Sequence, residues 1–117
     1  MEVVATTKNI RMSPLKGRDL ARKVQGLKVG EALKITQFSA RKAAFHLGKT
    51  IKSAVANAQH NNNADPDTLW VRQAVIDDGT RMRRFWPRAR GSASPIERRL
   101  CRVKVVVSDQ APDGRRK

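Results

Sequence analysis

Two stretches of this chain read as strands, Leu69 to Ile76 and Cys101 to Val107, and the residues between them fit no protein core. The intervening segment, Asp77 to Arg98, reads DDGTRMRRFWPRARGSASPIER. From Arg81 to Lys104 nine basic residues stand against one acidic residue, Glu97, which is more than half of the chain's net charge of +15. Such density requires an anion nearby. If the two strands run on toward each other as an antiparallel ribbon turning near Gly91, each arm has about ten residues beyond the body, and at ~3.3 Å per residue they form a finger roughly 30 Å long. Alternation then sets Arg84, Trp86, Arg88 and Arg90 on one side and Arg81, Arg83 and Phe85 on the other, so neither side is a core face. A lone two-stranded ribbon is marginal in water, and one that exposes Met82, Phe85 and Trp86 among arginines needs material around it. RNA suits both residue types: phosphates pair with guanidinium forks, and unstacked bases stack on aromatic or guanidinium planes. Two other readings stay open from the residues alone. Asp78-Gly79 is a type I′ turn signal that would fold Thr80 to Trp86 back onto the Leu69 strand, and the whole segment could be a disordered basic loop.

The rest of the chain supplies a small body. Its 117 residues suffice for one domain, with 39% hydrophobic residues for a core but only 4% aromatic residues to line a ligand pocket. Residues 2 to 8 (EVVATTK) form a β-branched strand. Ser13 and Pro14 then open a helix over 14–25, as N-cap and N1, with Leu20, Ala21 and Val24 on its apolar stripe and Gly26 as its stop. A two-turn helix follows Gly30 from Glu31 through Ala32, Leu33 and Ile35. With Ser39 as N-cap, Ala44, Leu47, Ile51, Ala54, Val55 and Ala58 trace an i, i+3, i+4 series, leaving Lys42, Lys49 and Lys52 to point outward. This predicts a core helix whose alanines allow close approach to a sheet. Cys101, Val103, Val105 and Val107 alternate with Arg102, Lys104 and Val106 as a half-buried strand, and 110–117 is a mobile basic tail. The expected architecture is α/β of the α+β kind: a small antiparallel sheet against three helices, with a long protruding β-hairpin.

Enzymatic chemistry finds no footing. His46 and His60 would lie about 21 Å apart along one helix, too far to share a metal or a proton. Asp77 and Asp78 point to opposite faces of a strand and cannot chelate together, so they serve turn formation or strand termination. Cys101 has basic neighbours that favour thiolate, yet it shares the apolar face of Val103 and Val105 and reads as a core residue. A single cysteine excludes an internal disulfide and, with two histidines, a four-ligand Cys/His zinc site. No GxxxxGK phosphate loop is present, and a nuclease would need convergent carboxylates. The sequence therefore predicts no catalytic residue, no metal, no cofactor and no small-molecule substrate. MEVVATTKNI has no signal-peptide pattern and no run of about 18 apolar residues occurs, so neither export nor a membrane is expected.

Three separated blocks carry a resemblance. Arg11-Met12-Ser13-Pro14-Leu15-Lys16-Gly17-Arg18, Ser53-Ala54-Val55-Ala56-Asn57-Ala58-Gln59-His60-Asn61 and Pro87-Arg88-Ala89-Arg90-Gly91, in this order and spacing, resemble the bacterial large-subunit ribosomal proteins numbered twenty-two. The likeness spans nearly the whole chain. It implies a structural constituent of the cytoplasmic, bacterial-type ribosome, with a domain on the outside of the large subunit and a hairpin that threads into large-subunit rRNA, aids assembly, lines the nascent-peptide exit tunnel and ends near the macrolide site. On this basis the long hairpin is preferred, with a body of 1–78 and 98–109 and a finger of 79–97. The candidate RNA contacts are Arg11, Lys16, Arg18, Arg81, Arg83, Arg84, Arg88, Arg90, Arg98 and Arg99. Met82, Phe85, Trp86, Pro87, Ala89 and Gly91 are the tunnel-hairpin residues, while Asn57, His60 and Asn61 read as helix capping. Expected partners are large-subunit rRNA, neighbouring ribosomal proteins and the nascent polypeptide. The match departs at Ser92-Ala93-Ser94-Pro95, so no tip contact is carried over to 92–95, and Pro95, lacking an N–H, predicts an irregular returning arm. The alternative is a regulatory DNA- or RNA-binding module that reads a short target with the finger in a groove.

Overall fold

β-branched residues from both ends of the chain meet in one sheet. The computed structural model describes residues 2–110, in the order β1 (Glu2–Ile10), α1 (Pro14–Val24), α2 (Val29–Phe38), α3 (Lys42–Asn62), β2 (Trp70–Pro87) and β3 (Ala93–Ser108), with single 3-10 turns at Pro66–Thr68 and Ala89–Gly91. The strand order is β1-β3-β2, antiparallel throughout. β3 is central because its alternate residues Cys101, Val103, Val105 and Val107 are all fully buried, the pattern of a strand with a neighbour on each side and helices over one face. Opposite them stand Val3 and Ala5 of β1 and Val71, Ala74 and Ile76 of β2.

α3 covers this face with Ala43, Ala44, Leu47, Ile51, Ala54 and Ala58. Its one buried hydroxyl is satisfied twice: Thr50 Oγ1 donates to the His46 carbonyl at 2.8 Å and lies 2.7 Å from Thr7 Oγ1 on β1. α1 approaches closely at Gly17, where a Cβ would stand 2.7 Å from Ile76 Cδ1 and 3.1 Å from Ala43 Cβ. The neighbouring Arg18 reinforces that contact, its Nε donating to the Ile76 carbonyl at 3.1 Å. Gly26, at φ +88°, turns the chain after α1 so that the linker to α2 runs along the free edge of β2. Gly26 N–H donates to the Val71 carbonyl and Val71 N–H to the Leu27 carbonyl, both at 2.8 Å, so this sheet edge is closed.

The α+β architecture and its three helices match expectation, with local corrections. α2 begins at Val29, includes Gly30 and runs ten residues instead of two turns. A side chain at Gly30 would meet nothing, and no φ/ψ demand breaks the helix there. Ser39 does not cap α3: it is the C-cap of α2, its Oγ accepts from Arg41 N–H at 3.3 Å, and Arg41 is the residue before α3. Ser13 does precede α1, but its side chain makes no capping bond. The α3 C-cap is Asn63 at φ +52°, not Asn57, His60 or Asn61. Residues 111–117, most of the expected tail, lie outside the described residues.

Since Ile51 is fully buried and Phe45 is 63% exposed on the same helix, their truncations should diverge. Ile51→Ala should lower unfolding free energy by about 2–5 kcal/mol in a urea titration, and Phe45→Ala should stay within about 0.5 kcal/mol of the parent.

Candidate nucleic-acid interface

The pairing of β1 with β3 ends at Ile10↔Cys101, whereas β2 and β3 stay paired from Arg81↔Arg99 out to Pro87↔Ala93. Beyond the body the sheet is therefore a two-stranded ribbon. The described residues span 62 × 27 × 24 Å with a radius of gyration of 17.2 Å, against roughly 13 Å for a compact chain of this length. The ribbon accounts for the excess. Asp78-Gly79 is not a hairpin turn. The register shifts between Asp78 and Arg81, so β2 gains one residue as a bulge. At Gly79 a Cβ would come within 3.3 Å of the Leu100 carbonyl oxygen, a close backbone approach that favours glycine. Nor is the returning arm irregular at Pro95, which pairs with Phe85 in an unbroken register. With no third strand on the finger both arms are edges, where a missing N–H is tolerated.

The reversal is built by Arg88 to Ser92. Arg88 N–H donates to the Ser92 carbonyl at 2.7 Å, and Ser92 Oγ donates to the Ala89 carbonyl at 2.9 Å. Arg90 and Gly91 are both left-handed, at φ +60° and +74°. Glycine takes that conformation freely, and arginine at a cost of about 1 kcal/mol. Arg90 thus leaves the strand alternation, and Arg88 turns back so that its Nε donates to Ser94 Oγ at 3.1 Å.

Cross-strand partners share a face. One face carries Met82 with Arg98, Arg84 with Ile96 and Trp86 with Ser94; the other carries Arg81 with Arg99, Arg83 with Glu97 and Phe85 with Pro95. Phe85 and Trp86 are 77% and 53% exposed. Arg81 and Arg99, like charges directly opposite, destabilise the ribbon in isolation. The only carboxylate of the finger answers one of them: Arg81 Nη1 lies 2.8 Å from Glu97 Oε2. That pair is about half exposed, so it contributes at most about 1 kcal/mol.

At the finger's base the β1–α1 loop completes a cleft of about 660 Å³, lined by Arg11, Met12 and Ser13 together with Met82, Arg84, Glu97, Arg98 and Arg99. The structure thus brings Arg11 to three of the finger's arginines. Lys16 stands apart, in a hollow with Asp19, Arg41 and Lys42, and Arg18 is committed to α1 docking. Sequence reasoning missed Arg41 and Lys42. Arg41 approaches the Lys16 carbonyl at 3.4 Å and Asp19 at 3.8 Å, and Lys42 Nζ donates to the Arg11 carbonyl at 2.6 Å. The available signal was the absence of any Asp or Glu from Ala32 to Ala64.

The remaining titratable groups offer no chemistry. Burial, reinforced by the positive charges of Lys42 and Lys49, lowers the pKa of His46 and so favours its neutral imidazole. Burial raises that of Cys101, with Lys42 pulling it down and Asp78 pushing it up, so the thiol is an inert core side chain. Among the described residues no three His, Cys, Asp or Glu side chains are grouped to hold a metal ion, and no helix is long and apolar enough to cross a membrane.

The chain is thus a basic α+β body extended by an arginine-covered ribbon, a charge distribution that favours polyanions. The family model described as ribosomal protein L22p/L17e matches residues 5–108. A relative from Akkermansia muciniphila is 46% identical over 94% of this chain and 98% of its own length. Others from Opitutus terrae and Pseudothermotoga lettingae are each 43% identical, over 93% and 92% of this chain and 96% and 77% of theirs. All three are named large ribosomal subunit protein uL22. The chain belongs to the L22p/L17e family of ribosomal proteins, a structural and non-enzymatic family.

Without a third strand or an apolar face, the finger should open locally at little cost in the free protein. Hydrogen exchange is expected to be rapid from about Arg81 to Arg99 and slow from Val103 to Val107; equal protection in both would contradict a marginal ribbon.

Proposed function

We propose that this protein holds large-subunit rRNA in its folded form by inserting the finger into it while the body stays outside, aiding assembly and lining the nascent-peptide exit tunnel. Family membership makes it a structural protein of the large ribosomal subunit and a component of the bacterial-type cytoplasmic ribosome. The observation that carries the finer reading is the ribbon with arginines on both faces, which has no core to join and only one carboxylate within it.

The mechanism is electrostatic first. Arg81, Arg83, Arg84, Arg88, Arg90, Arg98 and Arg99, with Arg11 at the base cleft and Lys16 on the body, neutralise phosphates that would otherwise repel one another as RNA helices close round the finger. Arg18 would contribute only through a guanidinium edge not spent on Ile76. Each neutralised phosphate releases condensed counterions, which makes binding steeply salt dependent. Shape comes second: Met82, Phe85 and Trp86 offer flat or flexible apolar surface to bases, and Pro87, Ala89 and Gly91 keep the tip narrow beside a passing nascent chain. Neighbouring ribosomal proteins meet the body.

The deciding experiment is gradient sedimentation of a lysate probed for this chain. Co-migration with the large subunit that survives a high-salt wash and is lost on nuclease treatment is expected. A chain left near the top of the gradient would instead favour a regulatory module with a short target. With a large-subunit rRNA transcript, replacing Arg84 and Arg98 together by Ala should flatten the dependence of log K on log salt by roughly 1.5 to 2, about one phosphate contact each. An unchanged slope would remove the base cleft from the interface.

A further inference from the structure

Between Ala32 and Ala64 the chain carries five basic residues, Lys34, Arg41, Lys42, Lys49 and Lys52, and not one Asp or Glu. Four of these five, all but Lys34, line a groove of about 680 Å³ where α2 packs on α3. Its floor is closed: a Cβ on Gly48 would stand 3.0 Å from Thr36 Oγ1, and that hydroxyl already donates to the Leu33 carbonyl at 2.9 Å. Phe45 lies on the groove and is 63% exposed. Phe38, the last residue of α2, does not line the groove itself but stands between Gln37 and Ser39, which do, and is 82% exposed. Neither ring contributes to the core, whose α3 face is filled by alanines, leucine and isoleucine. Phe45 is nonetheless held in place, with Lys49 Nζ 5.2 Å from its centroid one helical turn on and the His46 ring edge-on at 5.3 Å.

We infer that the α2–α3 face is a second RNA contact, separate from the finger. It takes an unpaired stretch of RNA whose bases stack on Phe45 and Phe38 while Arg41, Lys49 and Lys52 hold the flanking phosphates. Interleaved cations and exposed ring faces are the two parts of a single-strand platform, since every base has a π-face and every linkage a charge. Arg41 has Asp19 at 3.8 Å, but an apolar protein surface would still bury Lys42, Lys49 and Lys52 with no carboxylate to answer them, and an acidic peptide would answer the charge but leave two phenylalanines in water. Lys42 joins this groove to the β1–α1 loop that lines the cleft at the finger's base, through the Arg11 carbonyl, so one RNA could engage both with the avidity of linked sites. The inference rests on the RNA-binding reading above.

The composition supplies its own probe. Phe38, Phe45 and Phe85 are the three phenylalanines of the chain, two on this face and one on the finger. Replacing them by 4-fluorophenylalanine in the full chain gives three fluorine NMR signals, assigned by single Phe→Leu variants. On titration with single-stranded oligouridine of about twelve nucleotides, the Phe38 and Phe45 signals should shift, and should still shift when Arg84→Glu and Arg88→Glu together disable the finger. In that finger-disabled background Lys49→Glu with Lys52→Glu should abolish the Phe45 shift, and Phe45→Ala should weaken binding about tenfold. Movement of Phe85 alone would overturn this inference and leave the finger's role intact. Equal movement of Phe38 and Phe45 by a polyglutamate peptide would also overturn it, reducing the face to bare charge. Silence of all three signals would sink the RNA-binding reading itself.

Discussion

The hydrogen-bonded ladder between β2 and β3 is the constraint on which everything else depends, because the same two strands pass from a hydrophobic interior, across a bulge at its rim, into open solvent. Over Cys101 to Val107 the ladder is backed by α3 and flanked by β1, so burial of valines fixes its register. Past Cys101 the same two strands have only each other. The core register, offset by the bulge before Arg81 and closed by the turn at Arg88 to Ser92, tells the finger which arginine faces which, since nothing on its own surface is buried firmly enough to choose.

Charge then separates what the fold can do alone from what it can do with a partner. The finger places Arg81 opposite Arg99 and has one glutamate with which to offset them. Such an element gains little by ordering itself in water and a great deal by ordering inside a polyanion, where the repulsion that weakens it becomes the attraction that binds it. The body has the opposite character. Those of its basic residues that sit on the helices, such as Lys42, Lys49 and Lys52, are on elements already secured by Leu47, Ile51 and the valines of the sheet, so their positions do not depend on the partner. One chain thus carries a cationic body held by its own core and a cationic finger whose order depends on what surrounds it.

Most of the body was legible in the residues, for a physical reason. α3 and β3 are each half-buried, and a half-buried element must show its period, 3.6 for Ala44 to Ala58 and two for Cys101 to Val107. Local signals misled where one residue type serves two geometries. Ser39 can begin a helix or follow one, and it follows α2; Asp78-Gly79 can reverse a chain or bulge a strand, and the pairing of Arg81 with Arg99 leaves room only for the bulge. Of the candidate site, the density and two-sidedness of the finger's arginines could be read directly. The cleft uniting Arg11 with Arg84 and Arg98 could not, because those residues lie far apart in sequence and meet only once the β1–α1 loop is placed against β2. The exposure of Phe45 was within reach: it falls off the apolar stripe that marks α3 as a core helix.

The bulge at Gly79 fixes the aim of the finger. An extra residue in one strand bends and twists everything beyond it, and on an arm of roughly 30 Å each ten degrees of bend carries the tip about 5 Å sideways. One backbone irregularity at the rim of the core thus acts as the fulcrum of a lever whose far end bears Arg88, Arg90 and Gly91. A substitution at Gly79 need not lie at the tip to displace every side chain the tip carries, and where that tip points is decided beside the Leu100 carbonyl, against which a side chain at position 79 would press.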